Sequence, residues 1–118
     1  MAMDRERRQE AAPLRPVEFH ILLSLAAGER HGYGIIQDAA ARGETVDVGT
    51  LYRALARMSD QGLIGESARR PAADMDDERR NYYRITARGL RVARAEAERV
   101  AGLARAARAC GLLQAAAT

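Results

Sequence analysis

The chain has 118 residues, 47% of them hydrophobic and only 4% aromatic, with a formal net charge of +3 and an isoelectric point near 9.6. That length accommodates one small domain and one interaction surface, and so few large aromatic and β-forming residues point to packed helices rather than a β-sandwich. A single cysteine, Cys110, excludes an intramolecular disulfide framework, and two distant histidines make a metal site unexpected. No run approaches the roughly twenty apolar residues that span a bilayer, and the N-terminus carries no signal-peptide core, so a cytoplasmic protein without membrane contact is expected.

All nineteen basic residues are arginine, so their placement carries more information than their number. Residues 1–14 form a charged arm, with Asp4, Arg5, Glu6, Arg7, Arg8 and Glu10 ahead of Pro13. Helical periodicity begins at Pro16, whose fixed φ suits a first turn. Phe19, Leu22, Leu23 and Ala26 give the predicted apolar stripe, and Gly28 its end. A second helix is predicted from Gly32 to about Arg42, with Tyr33, Ile36, Ala39 and Ala40 inward, Gly43 as its stop and His31 as a candidate cap. Glu44-Thr45-Val46 is β-branched enough for a strand stub.

The best delimited stretch runs from Asp47 to Gly62. Asp47 is suited to accept hydrogen bonds from the first-turn amides, and Gly62 to the left-handed conformation that closes a helix. Leu51, Leu55 and Met58 recur at helical spacing on one face. Gly49, Arg53 and Arg57 make a second stripe, flanked by Thr50 and Tyr52. A helix packed on one side and offering Arg, Tyr and Thr on the other has what a major groove demands: small residues for close approach and side chains that bond phosphate or base edges. An ordinary solvated helix has the same pattern, so the neighbouring segments must decide.

Strands are predicted over Leu63–Arg70 and Arg79–Ile85, joined by a loop bearing Asp74, Asp76, Asp77 and Glu78. In the second strand Tyr83 and Ile85 share one face, with Arg80, Tyr82 and Arg84 on the other. Thr86 then caps a long helix from Ala87 to about Leu113, in which Gly89 points to a close contact with another backbone. Leu90, Ala93, Ala97, Val100, Ala104 and Ala107, widened by Leu103 and Cys110, form a seam longer than a small domain covers, for which a second copy of the chain is the simplest partner. The expected fold is mainly α with a small β-hairpin: a winged helix-turn-helix over residues 15–86, a dimerisation helix over 87–114 and a tail over 115–118.

Four blocks in this order, His31-Gly-Tyr-Gly-Ile35, Gly49-Thr-Leu-Tyr-Arg-Ala-Leu55, Gly62-Leu-Ile64 and Arg80-Asn-Tyr-Tyr-Arg-Ile-Thr-Ala-Arg-Gly89, resemble the PadR family of transcriptional regulators. The resemblance covers about residues 15–100 and is similar to the short subgroup with a single C-terminal helix. It implies a homodimeric repressor on a palindromic operator of double-stranded DNA, in a family whose members often respond to small aromatic or phenolic effectors or to drugs; no cofactor is expected. Under it, Gly49, Thr50, Tyr52, Arg53 and Arg57 belong to the reading helix, and Arg69, Arg70, Arg79 and Arg80 to wing bases that grip phosphate. The dimer seam takes in Phe19, Leu90, Ala93, Ala97, Val100, Leu103, Ala104 and Ala107. Two departures stand out: Arg53 occupies a position where the family commonly has Pro, and the wing tip is acidic where a DNA backbone would repel it.

An enzyme fits poorly, since no activated nucleophile, phosphate-cradling loop or cluster of acid, base and ligand residues is present in the sequence. The rival reading is a winged-helix protein-interaction module that docks a partner without reading an operator. Tyr33, Tyr82 and Tyr83 suit either an effector pocket or the core, and Cys110 either a sensing thiol or a small hydrophobe within the seam.

Overall fold

The computed structural model describes residues 14–67 and 81–114. Helix α1 (Pro16–Ala27) is followed by a two-residue strand β1 (Arg30–His31), helix α2 (Gly32–Ala41) and helix α3 (Val48–Asp60). Strands β2 (Ile64–Glu66) and β3 (Tyr82–Ile85) precede the long helix α4 (Ala87–Ala109). Residues 1–13, the wing segment 68–80 with its acids and its four arginines, and 115–118 lie outside the described residues.

Helix α1 packs against α2, α3, α4 and β3, and so forms the centre of the fold. Its buried apolar residues are Ile21, Leu22 and Leu25, with Glu18 and Ser24 also enclosed. The predicted stripe is corrected accordingly: Leu22 is buried, but Leu23 and Ala26 are exposed and Phe19 is half-buried. Two apolar arcs lie side by side on this helix, and spacing alone does not say which one the neighbouring helices cover. The same rotation applies in α2, where Ile35 and Ala39 are buried, Tyr33 and Ile36 are half-buried and Ala40 is exposed. Ile35 and Ala39 join Leu51, Ala54, Leu55 and Met58 of α3 in one core with Ile21, Leu22 and Leu25.

The sheet has the order β1-β3-β2, all antiparallel, among the described residues. Ile64 faces Ile85, Gly65 faces Arg84 and Glu66 faces Tyr83 across β2 and β3. Tyr83 is buried and Arg84 exposed, as the alternation predicts. The third strand was not foreseen: Arg30 and His31 pair with Tyr83 and Tyr82, while Glu44-Thr45-Val46 forms no strand and only Val46 of the three is buried. Strand pairing needs a free edge, and β3 presents its second edge to the turn after Gly28 rather than to the turn after Gly43.

Three helices begin on a capping side chain. His31 Nδ1 accepts from Gly34 N–H at 3.0 Å, Asp47 from Thr50 N–H at 2.9 Å and Thr86 Oγ1 from Gly89 N–H at 3.0 Å. Gly62, with φ +75°, closes α3 in the left-handed region. Helix α4 stops at Ala109, short of the predicted Leu113, because Gly111 takes φ +84° and turns the amides of Leu112 and Leu113 back onto the Ala107 carbonyl.

Candidate nucleic-acid interface

The N-terminal end of α3 carries a connected polar edge. The Asp47 carboxylate accepts the Thr50 amide through Oδ1 and the Thr50 hydroxyl through Oδ2, at 2.9 and 2.7 Å. Thr50 Oγ1 in turn lies 3.4 Å from the donating Nη2 of Arg53. These bonds, led by the Thr50 amide and hydroxyl and assisted by the Arg53 charge, hold the Asp47 carboxyl below its usual value. The Arg53 guanidinium lies over Gly49: a Cβ added there would stand 3.1 Å from Nη1. Gly49, Thr50 and Arg53 are thus brought together on the exposed side of a helix whose other side is core.

The remaining predicted readers have different surroundings. Tyr52 is half-buried against the core, and its hydroxyl end sits where a Cβ on Gly32 would be. Its ring therefore locks α3 onto the start of α2, which accounts for a glycine at that point. Arg57 turns to α1, where its Nε donates to Glu18 Oε2 at 3.1 Å. Arg69, Arg70, Arg79 and Arg80 lie outside the described residues.

Sequence reasoning missed Glu18. Three residues after Arg15 and close behind Pro16, it reads as a helix-start acid, and its Oε1 does accept the Arg15 amide at 2.9 Å. Its second partner is 39 residues away in sequence, and no local pattern announces that.

Tyr33, Tyr82 and Tyr83, the tyrosines singled out from the sequence, have different surroundings. Tyr83 is a core residue, and Tyr82, on the opposite face of β3, meets the His31 ring edge-on with centroids 5.5 Å apart. A groove of about 510 Å³ between α3 and the sheet is lined by Tyr52 and Tyr83 with Ser59 and Glu66, and neither Tyr33 nor Tyr82 takes part in it.

The predicted seam divides in two. Leu90 and Ala93 are half-buried, Ala93 packing on the chain's own core beside the buried Val92 and Glu96. Beyond Glu96 the helix leaves the core: Ala97 is exposed, Val100 and Leu103 are 41% and 57% exposed, and Ala104 and Ala107 are half-buried. Glu96 pairs with Arg99, whose Nε donates at 2.9 Å, and this partner keeps the Glu96 carboxyl below its usual value despite burial. Cys110 is exposed at the end of α4, its thiol directed at the Ala107 carbonyl.

Three helices with the third presented outward, followed by paired strands flanking a wing segment, define a winged helix-turn-helix, a DNA-binding fold. The sequence profile of the transcriptional regulator PadR-like family matches residues 21–95, and the chain belongs to that family. No match was found among curated protein sequences. Among solved structures, the chain is similar to a PadR family transcription regulator from hypervirulent Clostridium difficile, with a TM-score of 0.68 and 24% identity, over 78% of this chain and 94% of that one. A PadR-like transcriptional regulator from Bacillus cereus has a TM-score of 0.67 and 25% identity, over 85% and 93%. A transcriptional regulator from Clostridium thermocellum has a TM-score of 0.62 and 27% identity, over 76% and 84%. The chain is a PadR-like transcriptional regulator, and its partner is DNA. Among the described residues, no group of His, Cys, Asp or Glu is placed to hold a metal ion, and no helix is long and apolar enough to cross a membrane.

Proposed function

We propose that the chain is a cytoplasmic homodimeric repressor that reads a palindromic operator and is released by a small aromatic effector. The observation that carries the reading is the linked Asp47, Thr50 and Arg53 edge on the outer side of α3. In this reading Thr50 and Arg53 meet base edges and Gly49 gives close approach, which is supported by the bonds through which Asp47 keeps the two in register. Arg69, Arg70, Arg79 and Arg80 supply phosphate contacts from the wing. Exposure of Val100 and Leu103 supports pairing of two copies through α4. Two reading helices then enter major grooves one helical turn, about 34 Å, apart.

The test begins with selection of bound fragments from the parent genome, followed by titration against the selected site and a random duplex over a salt series. Affinity for the selected site is expected to fall steeply with salt as counterions are displaced. Thr50→Ala is expected to lower operator affinity about tenfold while random DNA changes little. Weak binding insensitive to salt would defeat the reading in favour of a partner-docking module, and equal losses on both DNAs would mean that α3 does not read sequence.

A further inference from the structure

Arg53 and Arg57 stand one turn apart on the same stripe of α3, yet they have opposite surroundings. Arg53 is exposed and leans along the helix toward Thr50. Arg57 reaches into the seat of α3 on α1, where its Nε meets Glu18 Oε2 at 3.1 Å. The Glu18 side chain is only 10% exposed and that of Arg57 33%. The other Glu18 oxygen accepts the Arg15 amide at 2.9 Å. An enclosed carboxylate persists only when its oxygens are met by donors, and preferably by a cation. One buried acid therefore ties the first turn of α1 to the last turns of α3.

We infer that Arg57 is a positioning residue, which through Glu18 fixes the tilt of the reading helix on α1 and does not itself grip DNA. This rests on α3 being the reading helix and goes beyond it by moving Arg57 out of the contact set and bringing Glu18 into the recognition machinery. Around this joint the buried face of α3, Leu51, Ala54, Leu55 and Met58, makes apolar contacts without direction, which by themselves tolerate small rotations, and Tyr52 steadies the other end of the helix against Gly32. A charge-assisted hydrogen bond does not tolerate such rotations. The lever is long: from Arg57 to Thr50 the helix rises about 10 Å, so a tilt of about 10° about the Arg57 anchor carries the reading tip through about 2 Å. A base contact does not survive that displacement. In a palindromic complex the error occurs in both half-sites.

The experiment uses the full chain as wild type, Glu18→Gln, Arg57→Met and the double variant, against the selected operator and a random duplex over a salt series. Glutamine is isosteric, but the Arg15 amide and the Arg57 Nε approach different oxygens of Glu18, and in glutamine one of those positions becomes an NH2 that meets a donor with a donor. Each single variant is expected to lower the operator-to-random affinity ratio about tenfold, and the double variant no further, because both remove one joint. The salt slope on random DNA is expected to stay within about half a counterion of wild type. A phosphate-gripping Arg57 gives the opposite result: its replacement lowers the slope by about one on both DNAs, and Glu18→Gln tightens random binding by removing a negative charge beside the grip. That outcome, or an unchanged ratio in either folded variant, overturns the inference. Arg57 is one-third exposed and Met keeps its apolar stem out to the position of Nε, so if Glu18→Gln does not fold, the ratio and slope of Arg57→Met decide alone. Loss of salt-dependent operator binding in the wild type itself would defeat the underlying reading rather than this one.

Discussion

A threonine at the third position of a helix is commonplace, and what distinguishes Thr50 is that its hydroxyl is bonded on both sides. It donates to Asp47 and accepts from Arg53, so a single group sets the rotamers of its two neighbours. The lowered carboxyl of Asp47 has a measurable consequence. A group whose pKa falls on folding contributes stability above its unfolded value and loses it as pH drops through the folded one. The stability gap between wild type and Asp47→Ala in denaturant titrations is therefore expected to be full at neutral pH. It should start to close once pH falls below the ordinary carboxylate value, and vanish only beneath the lowered one. A gap independent of pH would mean that Asp47 is not a charged cap. Tyr52 makes a different prediction, since its ring is lodged over Gly32. Tyr52→Ala is expected to cost about 2 kcal/mol in folding stability, and operator and random DNA affinities of the folded variant should move together. A selective loss on operator would show that Tyr52 reads sequence as well as locking α3.

At the scale of elements, the start of α4 is seated closely on the segment that leads from α3 into β2. Gly89 lies against the backbone of Leu63, and a Cβ there would run into the Leu63 carbonyl oxygen. That oxygen also accepts the Thr86 amide at 3.1 Å and the Thr86 hydroxyl at 2.9 Å, so it cannot retreat without undoing the cap of α4. Replacing a helical glycine by alanine ordinarily gains up to about 1 kcal/mol. Here Gly89→Ala is expected instead to cost about 1–3 kcal/mol, through overlap with backbone rather than with a side chain that moves aside. Thermal melts decide the sign. This contact was legible in the sequence because a glycine in the first turn of a well-capped helix weakens that helix, and the close approach of a second backbone offsets the loss. The caps at His31, Asp47 and Thr86 were legible because each is a local bond across three residues. The buried arc of α1 was not: Leu22 belongs to both of its apolar arcs, and the choice between them is made by α2, α3 and α4. Strand β1 was hidden because two residues carry no periodicity. The Glu18–Arg57 pair was hidden because its meaning arises only when α1 and α3 are in place.

For the whole molecule the telling feature is the length of α4. Up to Glu96 the helix is held by its own domain, through Gly89, Val92, Ala93 and Glu96. From Ala97 to Ala109 it continues with Val100 and Leu103 in the open, and so short a stretch of isolated helix is marginal in water without a surface to pack on. The outer arc of α1, with Phe19 half-buried and Leu23 37% exposed, is a second apolar surface that the described residues leave uncovered. If two copies join through these surfaces, Val100→Glu with Leu103→Glu places two unpaired charges in the shared seam, each costing several kcal/mol to bury. The variant is expected to sediment as a monomer at micromolar concentration where the wild type sediments as a dimer. Neither side chain belongs to the core of the described residues, so α1 to α3, the sheet and the first part of α4 should keep their fold, and circular dichroism is expected to lose helix only from the far end of α4. The DNA consequence separates assembly from reading. A monomer retains the Thr50 and Arg53 edge and should still prefer a half-site to random DNA, but the gain from occupying two half-sites disappears, so affinity for the full palindrome should fall to that for one half. Wild-type chain that sediments as a monomer would sink the assembly. A monomeric variant with undiminished affinity for the full palindrome would show that α4 pairs for some purpose other than operator binding.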